Sequence, residues 1–167
     1  MSDDVVTGAS ADIRFGGRSS EVTRDDWLTP PALKRYLYAR WDLDFDPCPW
    51  PREPGYDGLK VPWTGRAFVN PPYGAETVRW LKKAITEISA GNCEIAVFLI
   101  NSRTDTRWFH EYVMGGAQEL YFIRGRVAFQ LPGTQRATPS AFGSMVVVFH
   151  QDPGSSGLLV NSMEQPP

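Results

Sequence analysis

Apolar residues along the middle of the chain recur with helical spacing in three stretches. The first stretch follows Thr29-Pro30, a hydroxyl residue and a proline that are typical of a helix start. The second stops at Gly91 and the third at Gly115-Gly116, where glycine favours a helix end. The pattern therefore predicts three helices, with apolar faces formed by Leu33, Tyr36, Leu37 and Trp41, by Val78, Leu81, Ile85 and Ile88, and by Trp108, Phe109, Tyr112 and Val113.

Short apolar runs predict six strands, at residues 43–45, 67–69, 95–100, 120–123, 127–129 and 145–149. The run 95–100 is continuously apolar, which is typical of a strand buried on both faces. Strands that alternate with helices predict an α/β fold: a three-layer, reduced doubly wound (Rossmann-like) domain with a mostly parallel sheet. Since no helix separates the last two strands, we expect them to pair as a C-terminal antiparallel hairpin.

The two ends of the chain lack a hydrophobic period. Residues 1–24 are predicted to form a flexible N-terminal arm and residues 153–167 a flexible C-terminal tail, although Leu158-Leu159-Val160 offers a local docking point. Residues 25–152 then form a single domain, which suits a chain of 167 residues.

Composition restricts the class of protein without deciding its partner. With two distant cysteines, Cys48 and Cys93, the sequence fits neither a disulfide framework nor a metal site, which favours a reducing cytoplasm. The apolar runs are too short to cross a membrane, so a membrane partner is not expected. The net charge of -2 is unlike that of most nucleic-acid binders, but the stretch 103–136 is locally rich in arginine. An ordinary solvated surface explains that stretch equally well.

Polar residues follow three of the predicted strands, at Asp46, at Asn70 and within 101–105. In open α/β sheets ligands bind beyond the carboxyl ends of the strands, so these residues are expected to converge on a pocket. Asn70-Pro71-Pro72-Tyr73 carries the most specific chemistry. Asn70 and the Pro71 carbonyl can accept both N–H bonds of a planar amine, and Tyr73 can stack on an extruded base. A plain turn after a strand is the alternative.

Several motifs together resemble the small phage-type DNA adenine-N6 methyltransferases, a Dam-like family. They are Asp26-Trp27-Leu28-Thr29-Pro30, Phe45-Asp46-Pro47-Cys48, Asp57-Gly58-Leu59 with Pro62-Trp63, Phe68-Val69-Asn70-Pro71-Pro72-Tyr73, Arg103-Thr104-Asp105-Thr106-Arg107-Trp108-Phe109 and Gly125-Arg126-Val127-Ala128-Phe129. The resemblance spans roughly residues 25–149. It implies a methyltransferase that uses S-adenosylmethionine as donor and adenine in double-stranded DNA as acceptor, in the cytoplasm of a bacterial host.

The resemblance also implies roles for individual residues. Asn70, Pro71, Pro72 and Tyr73 form the catalytic loop, and Asp46-Pro47 holds the amino group of the donor. Thr29 and Pro30 close over the donor, Asp57 contacts its ribose, and Trp27 and Trp63 flank its adenine. Turn formation explains Asp46 and Asp57 as well, helix capping explains Thr29 and Pro30, and core packing explains both tryptophans. A proline-rich turn after Asp46 replaces the glycine-rich loop of larger methyltransferases.

Arg103, Arg107 and Arg126 are the candidates for contact with DNA phosphates, with surface ion pairs as the competing interpretation. Two rival functions stay open at the level of the sequence. One is methylation of another planar nitrogen, such as cytosine N4 or a protein glutamine. The other is a catalytically silent protein of the same fold that binds DNA or another phage protein. The sequence does not indicate an oligomeric state.

Overall fold

The computed structural model describes residues 27–134, 136–152, 154 and 157–167, and the predicted arm 1–24 lies outside them. In chain order the elements are α1 (Pro31–Trp41), β1 (Gly65–Val69), α2 (Glu76–Ser89), β2 (Cys93–Asn101), a π-helical segment (Phe109–Val113), α3 (Met114–Gly116), β3 (Glu119–Ile123), β4 (Ala128–Gln130), β5 (Ala137–Pro139), β6 (Ser144–His150) and β7 (Leu159–Met163). The α/β class predicted from the alternating patterns is confirmed.

Five strands form the main sheet in the order β1-β2-β6-β3-β7. Strands β1 and β2 pair in parallel, as do β3 and β7, whereas β6 runs antiparallel to both of its neighbours. Four strands therefore share one direction, and the sheet is mixed because β6 is inserted among them. The carboxyl ends of β1 and β2 lie next to each other at one edge, where the sequence places Asn70 and the segment 101–105.

The expected hairpin between residues 127–129 and 145–149 is wrong. Strand β4 pairs with β5 in a separate two-stranded sheet, while β6 lies between β2 and β3. The reason is burial: residues 144–149 are all buried, so β6 has no face for solvent. A continuously apolar run of this kind belongs in the centre of a sheet, covered on both faces. The same argument that identified 95–100 as a central strand applies to β6.

Residues 159–163, which the sequence pattern assigns to a loose tail, form strand β7 at the edge of the main sheet. β7 pairs in parallel with β3 over five residues, and Met163 is buried against the core. Leu159 and Val160 are exposed, so β7 lacks the alternating apolar pattern that identifies a strand. Its place depends on hydrogen bonds to β3, on the buried Met163, and on Leu158, which packs against the core just before the strand.

Two apolar layers cover the main sheet. Side chains from α1 pack on one face together with Phe68, Val97 and Phe129, whereas α2 and the segment 109–117 pack on the other with Phe98 and Phe149. Alternate residues of the central strands enter opposite layers, as the two-residue period of a strand requires. This arrangement confirms the predicted three layers.

Helix boundaries agree with the sequence pattern at most positions. α1 has Pro31 at its first position, but Pro30 rather than Thr29 is the N-cap residue and no side chain caps the helix. Leu33, Leu37 and Trp41 are buried as predicted, whereas Tyr36 is exposed. α2 ends before Gly91, whose φ of +76° suits a residue without a Cβ atom. Thr29 is therefore available for another contact.

The predicted strand at residues 43–45 is reduced to one parallel bridge, between Phe45 and Ala67. The backbone N–H of Phe68 donates to the Phe45 carbonyl over 2.8 Å, which fixes this segment beside β1. Asp46 consequently lies beside the end of β1. Within the described part of the chain, no helix is long and apolar enough to cross a membrane.

Candidate active site

A pocket of about 350 Å³ opens at the carboxyl end of β1. Its walls come from the segment before α1 and the first turns of that helix, from the turn after Phe45, and from the end of β1. The lining residues are Trp27, Leu28, Thr29, Pro31, Lys34, Arg35, Asp46, Cys48, Pro49, Trp50, Arg52, Phe68, Asn70 and Pro72. The predicted convergence of Asp46 and Asn70 on one pocket is present in the structure, whereas the segment 101–105, which the sequence predicts to join them, does not line it.

The side-chain amide of Asn70 is fixed by hydrogen bonds at both of its ends. Its Nδ2 donates to the Trp27 carbonyl over 2.8 Å and to Thr29 Oγ1 over 3.2 Å. Its Oδ1 accepts a hydrogen bond from the Tyr73 hydroxyl over 3.2 Å. Both partners of Nδ2 are acceptors in this arrangement, so the amide nitrogen is directed toward them and Oδ1 is left as the acceptor on the other side.

The segment that holds Asn70 is itself held by the small sheet. Leu28 pairs with Gln130 of β4 through two backbone hydrogen bonds, of 2.8 and 3.3 Å. This bridge fixes Trp27 and Thr29 on either side of Leu28, and both reach Asn70. Gln130 thus helps to position the Asn70 side chain through the segment 27–29.

Tyr73 is packed against β4 as well as bonded to Asn70. Its ring meets the Phe129 ring edge-on, with 5.9 Å between the ring centroids. Burial raises the pKa of the Tyr73 hydroxyl above its ordinary value, so the group stays protonated and can donate at neutral pH. Pro71 is buried and Pro72 lines the pocket, and the Pro72 carbonyl accepts a hydrogen bond from Thr77 Oγ1 at the start of α2.

Asp46 is a half-buried carboxylate with a cation beside it. Its Oδ2 lies 2.9 Å from Lys34 Nζ, and its Oδ1 accepts a hydrogen bond from the Cys48 backbone N–H over 2.9 Å. Lys34 Nζ also lies 5.3 Å from the centroid of the Tyr38 ring and 5.4 Å from that of Phe68. Burial and the nearby Asp46 charge raise the pKa of Tyr38. The Lys34 ammonium group therefore lies beside the Asp46 carboxylate and near the rings of Tyr38 and Phe68.

The other residues that the sequence predicts to bind the methyl donor divide into two groups. Trp27 and Thr29 line the pocket, with Pro30 between Thr29 and the helix. Pro47, Asp57 and Trp63 do not line it. Asp57 Oδ1 accepts from the Leu59 N–H over 3.0 Å and Oδ2 pairs with Lys60, as in a turn. Trp63 is fully buried and its indole N–H donates to the Gly58 carbonyl, so it packs in the core.

The three predicted DNA contacts lie outside the pocket, each with a protein partner. Arg103 Nε donates to Asp105 over 3.1 Å, Arg107 pairs with Glu111, and Arg126 Nη1 donates to the Ala141 carbonyl over 2.8 Å. In the structure, Arg103 and Arg107 therefore form surface ion pairs, as the competing interpretation states.

Sequence reasoning missed Lys34, Arg35 and Phe68 as pocket residues. Lys34 and Arg35 follow Leu33 on α1 but are not part of the apolar face that the pattern predicts, so the pattern assigns them no role. Their position at the rim of the pocket depends on where α1 packs on the sheet. A helical pattern identifies which face of a helix is buried, but it does not identify which other elements lie beside that helix.

Comparison with known proteins gives one match. A family model described as DNA N-6-adenine-methyltransferase (Dam) matches residues 17–164, which is most of the chain. No curated protein and no solved structure matches the chain.

Proposed function

The chain belongs to the DNA N-6-adenine-methyltransferase (Dam) family, and from this premise we propose how its residues carry out the reaction. It methylates the exocyclic amine of adenine in DNA. We propose that S-adenosylmethionine is the methyl donor, that the pocket at the end of β1 binds it, and that Asn70 accepts the adenine amine. The substrate is double-stranded DNA within the cytoplasm of a bacterial host.

The fixed orientation of Asn70 is the observation that carries the proposal. The lone pair of the adenine amine is delocalised into the ring, which makes the nitrogen a poor nucleophile. Two carbonyl oxygens that accept its N–H bonds favour a pyramidal nitrogen with an available lone pair. Trp27 and Thr29 hold the Asn70 nitrogen away, so Oδ1 supplies one acceptor without rearrangement. The Pro71 carbonyl supplies the second.

Tyr73 and Pro72 complete the acceptor site. The Tyr73 hydroxyl is bound to Asn70 Oδ1 and its ring is braced by Phe129, so its position is fixed before the base arrives. A fixed aromatic ring gives an extruded adenine a surface to lie against. The prolines stiffen the loop, and neither offers an N–H that would compete for the acceptor oxygens. Positioning then accounts for the rate, and the amine proton leaves after the methyl group has been transferred.

The pocket fits the proposed donor in size and in the chemistry of its walls. Its volume of about 350 Å³ lies in the range of small-molecule sites. Aromatic side chains, a carboxylate and three cations line it, which suits a ligand with a purine, an ammonium and a carboxylate. When bound, S-adenosylmethionine supplies an activated methyl group on a sulfonium sulfur. Asp46 receives the ammonium in place of Lys34, and Trp27, Thr29 and Pro30 cover the pocket.

Pro47 and Asp57 have indirect roles in this proposal. A Cβ atom on Gly58 would lie 1.9 Å from the Pro47 carbonyl oxygen. The turn at Asp46-Pro47 and the turn at Asp57-Gly58 therefore pack backbone against backbone. Asp57 closes the second of these turns through the Leu59 N–H. We therefore propose that the turn at Asp57 supports the turn that presents Asp46, in place of the direct ribose contact that the family resemblance implies.

Methyl transfer from labelled donor to duplex DNA tests the proposal. DNA from cells that express the protein would first be sequenced for modified adenine, and a duplex with the methylated site would be incubated with purified protein. Digestion to nucleosides should give label in N6-methyladenine. Label in N4-methylcytosine or in protein would instead support the rival methyl acceptors. Calorimetry with the donor alone should show binding, and its absence would refute the donor assignment.

A further inference from the structure

Phe142 is a large apolar side chain that the fold leaves 46% exposed. We propose that Phe142 is a wedge that enters the base stack of duplex DNA and occupies the space left by the extruded adenine. The inference rests on the proposed function, since it requires duplex DNA as substrate and an adenine that leaves the stack. It assigns a role to a side chain that neither the catalytic loop nor the donor pocket uses.

The position of Phe142 suits this role. Phe142 lies in the connection between β5 and β6, and Ser144 at the start of β6 pairs with Asn101 at the end of β2. β2 is the direct neighbour of β1, whose end carries Asn70. With strands about 4.8 Å apart, β6 lies roughly 10 Å from β1 across the sheet. Phe142 and the catalytic loop are therefore at the same edge of the sheet, two strands apart.

The loop that carries Phe142 is anchored at both of its ends. Ser140 Oγ accepts from the Phe142 N–H over 3.3 Å and donates to Asn101 Oδ1 over 3.4 Å. On the other side, the Ser102 N–H donates to the Gly143 carbonyl over 2.8 Å. A Cβ atom on Gly143 would lie only 2.7 Å from Ser102 Oγ, so this end of the loop packs tightly. An anchored backbone holds the ring outward.

Two arginines contact the segment that carries the exposed ring. The Arg103 guanidinium lies 5.1 Å from the centroid of the Phe142 ring, and Arg126 Nη1 donates to the carbonyl of Ala141, the residue before it. Cations next to an apolar side chain match a duplex, whose phosphates flank the stacked bases. The ion pair of Arg103 with Asp105 is exposed, so a phosphate can replace the carboxylate as the partner of the arginine beside the ring.

Extrusion of a base costs a few kcal/mol of stacking and pairing free energy. An apolar side chain between base steps recovers part of that loss, because it fills the gap and excludes water from the neighbouring bases. The wedge should therefore matter most when the target adenine is fully paired, and least when pairing has already been lost.

Phe142→Ala tests this on two duplexes that contain the methylated site. In the first the target adenine faces thymine, and in the second it faces an abasic position. We expect methyl transfer by Phe142→Ala to fall about tenfold or more on the paired duplex and to stay within about twofold of the parent on the abasic one. Phe142→Trp should retain activity on both. Leu159→Ala is the matched control, because Leu159 is 50% exposed but lies at the start of β7, at the opposite end of the sheet.

Fluorescence of 2-aminopurine at the target position gives a second readout that does not depend on transfer. The parent should increase it on binding the paired duplex, and Phe142→Ala should increase it far less. Equal loss on both duplexes, or no loss on either, would overturn the wedge while the proposed function stands. If the parent transfers no methyl group to either duplex, the proposed function fails and the wedge fails with it.

Discussion

The Asn70 site and the arginine surface (Arg103, Arg107 and Arg126) lie on the same side of the molecule but hold their polar groups differently. Asn70 is fixed by three hydrogen bonds to Trp27, Thr29 and Tyr73. Arg103 and Arg107 instead contact exposed carboxylates two and four residues away in sequence. The Asn70 amide is fixed chiefly by a distant segment of the chain, whereas Arg103 and Arg107 are held by local pairs at the surface.

The two arrangements suit two different functions, stabilisation of a transition state and binding of DNA phosphates. A group that must meet a developing transition state gains from partners that fix it in advance, because no free energy is then spent on rearrangement. A group that must follow the phosphates of many DNA sequences gains from partners that are easily exchanged, since exposed ion pairs stabilise little. Disturbing the first site should therefore reduce the rate, and disturbing the second should change affinity and salt dependence.

Replacement of Asn70 by alanine should have the largest effect. The loss of a preorganised acceptor is expected to lower kcat by about 100-fold or more while donor affinity stays nearly unchanged. Single-turnover methylation and calorimetry with the donor would measure the two quantities. Asn161→Ala on β7 is the control. An equal loss of donor affinity would show that Asn70 belongs to the donor site or supports the fold.

Asp46→Asn should weaken donor binding by about tenfold, or about 1.4 kcal/mol, because a charge-assisted hydrogen bond to the ammonium is lost. Lys34→Met is the matched variant, since it breaks the same ion pair but keeps the carboxylate. It should bind the donor at least as tightly as the parent, because no ammonium then has to be displaced. Similar losses in both variants would mean that the ion pair supports the pocket and that Asp46 does not contact the donor.

Thr29→Val should lower kcat by about fivefold, since it removes one of the two acceptors that orient the Asn70 nitrogen. Thr29 acts here as a positioning residue, so KM for DNA should change little. Thr29→Ser restores the hydroxyl and should restore the rate. A valine variant with the rate of the parent would show that the Trp27 carbonyl alone is enough to orient the amide.

Single alanine variants of Arg103, Arg107 and Arg126 should each flatten the dependence of log K for DNA on log salt by roughly 0.9. Binding should weaken to a similar extent for all sequences, and donor affinity should not change. Lys82→Ala, on the exposed side of α2, is the control. A triple variant that keeps the salt dependence of the parent would place the DNA surface elsewhere.

Neutralisation of the paired carboxylates should have the smallest effect, in the opposite direction. Asp105→Asn and Glu111→Gln each remove an anion that competes with phosphate for an arginine, so DNA should bind about two- to fivefold more tightly at low salt. Titration of labelled duplex at two salt concentrations would measure this. Weaker binding in these variants would mean that the carboxylates orient the arginines, and the contrast between the two sites would then be lost.

The sequence by itself determined the elements whose patterns are local. The buried face of α1 follows from its apolar spacing except at Tyr36, and the continuous run 95–100 correctly predicts a central strand. In α2 only Leu81 of the predicted apolar face is buried, and the helix also buries Thr77, Trp80, Ala84 and Glu87. Asn70-Pro71-Pro72-Tyr73 could be identified because its four residues are contiguous and follow an apolar strand. Features of this kind need only neighbours along the chain, and their physical cause is the period of the backbone itself.

Only the tertiary structure decided which distant segments meet. β6 lies between β2 and β3 because both of its faces are apolar, and β7 joins the edge although its own pattern does not identify a strand. The bridge from Leu28 to Gln130 brings Trp27 and Thr29 to the Asn70 amide, and the packing of α1 brings Lys34 to Asp46. These contacts join residues up to about one hundred positions apart. No local period encodes them, because they arise from the packing of whole elements on the sheet.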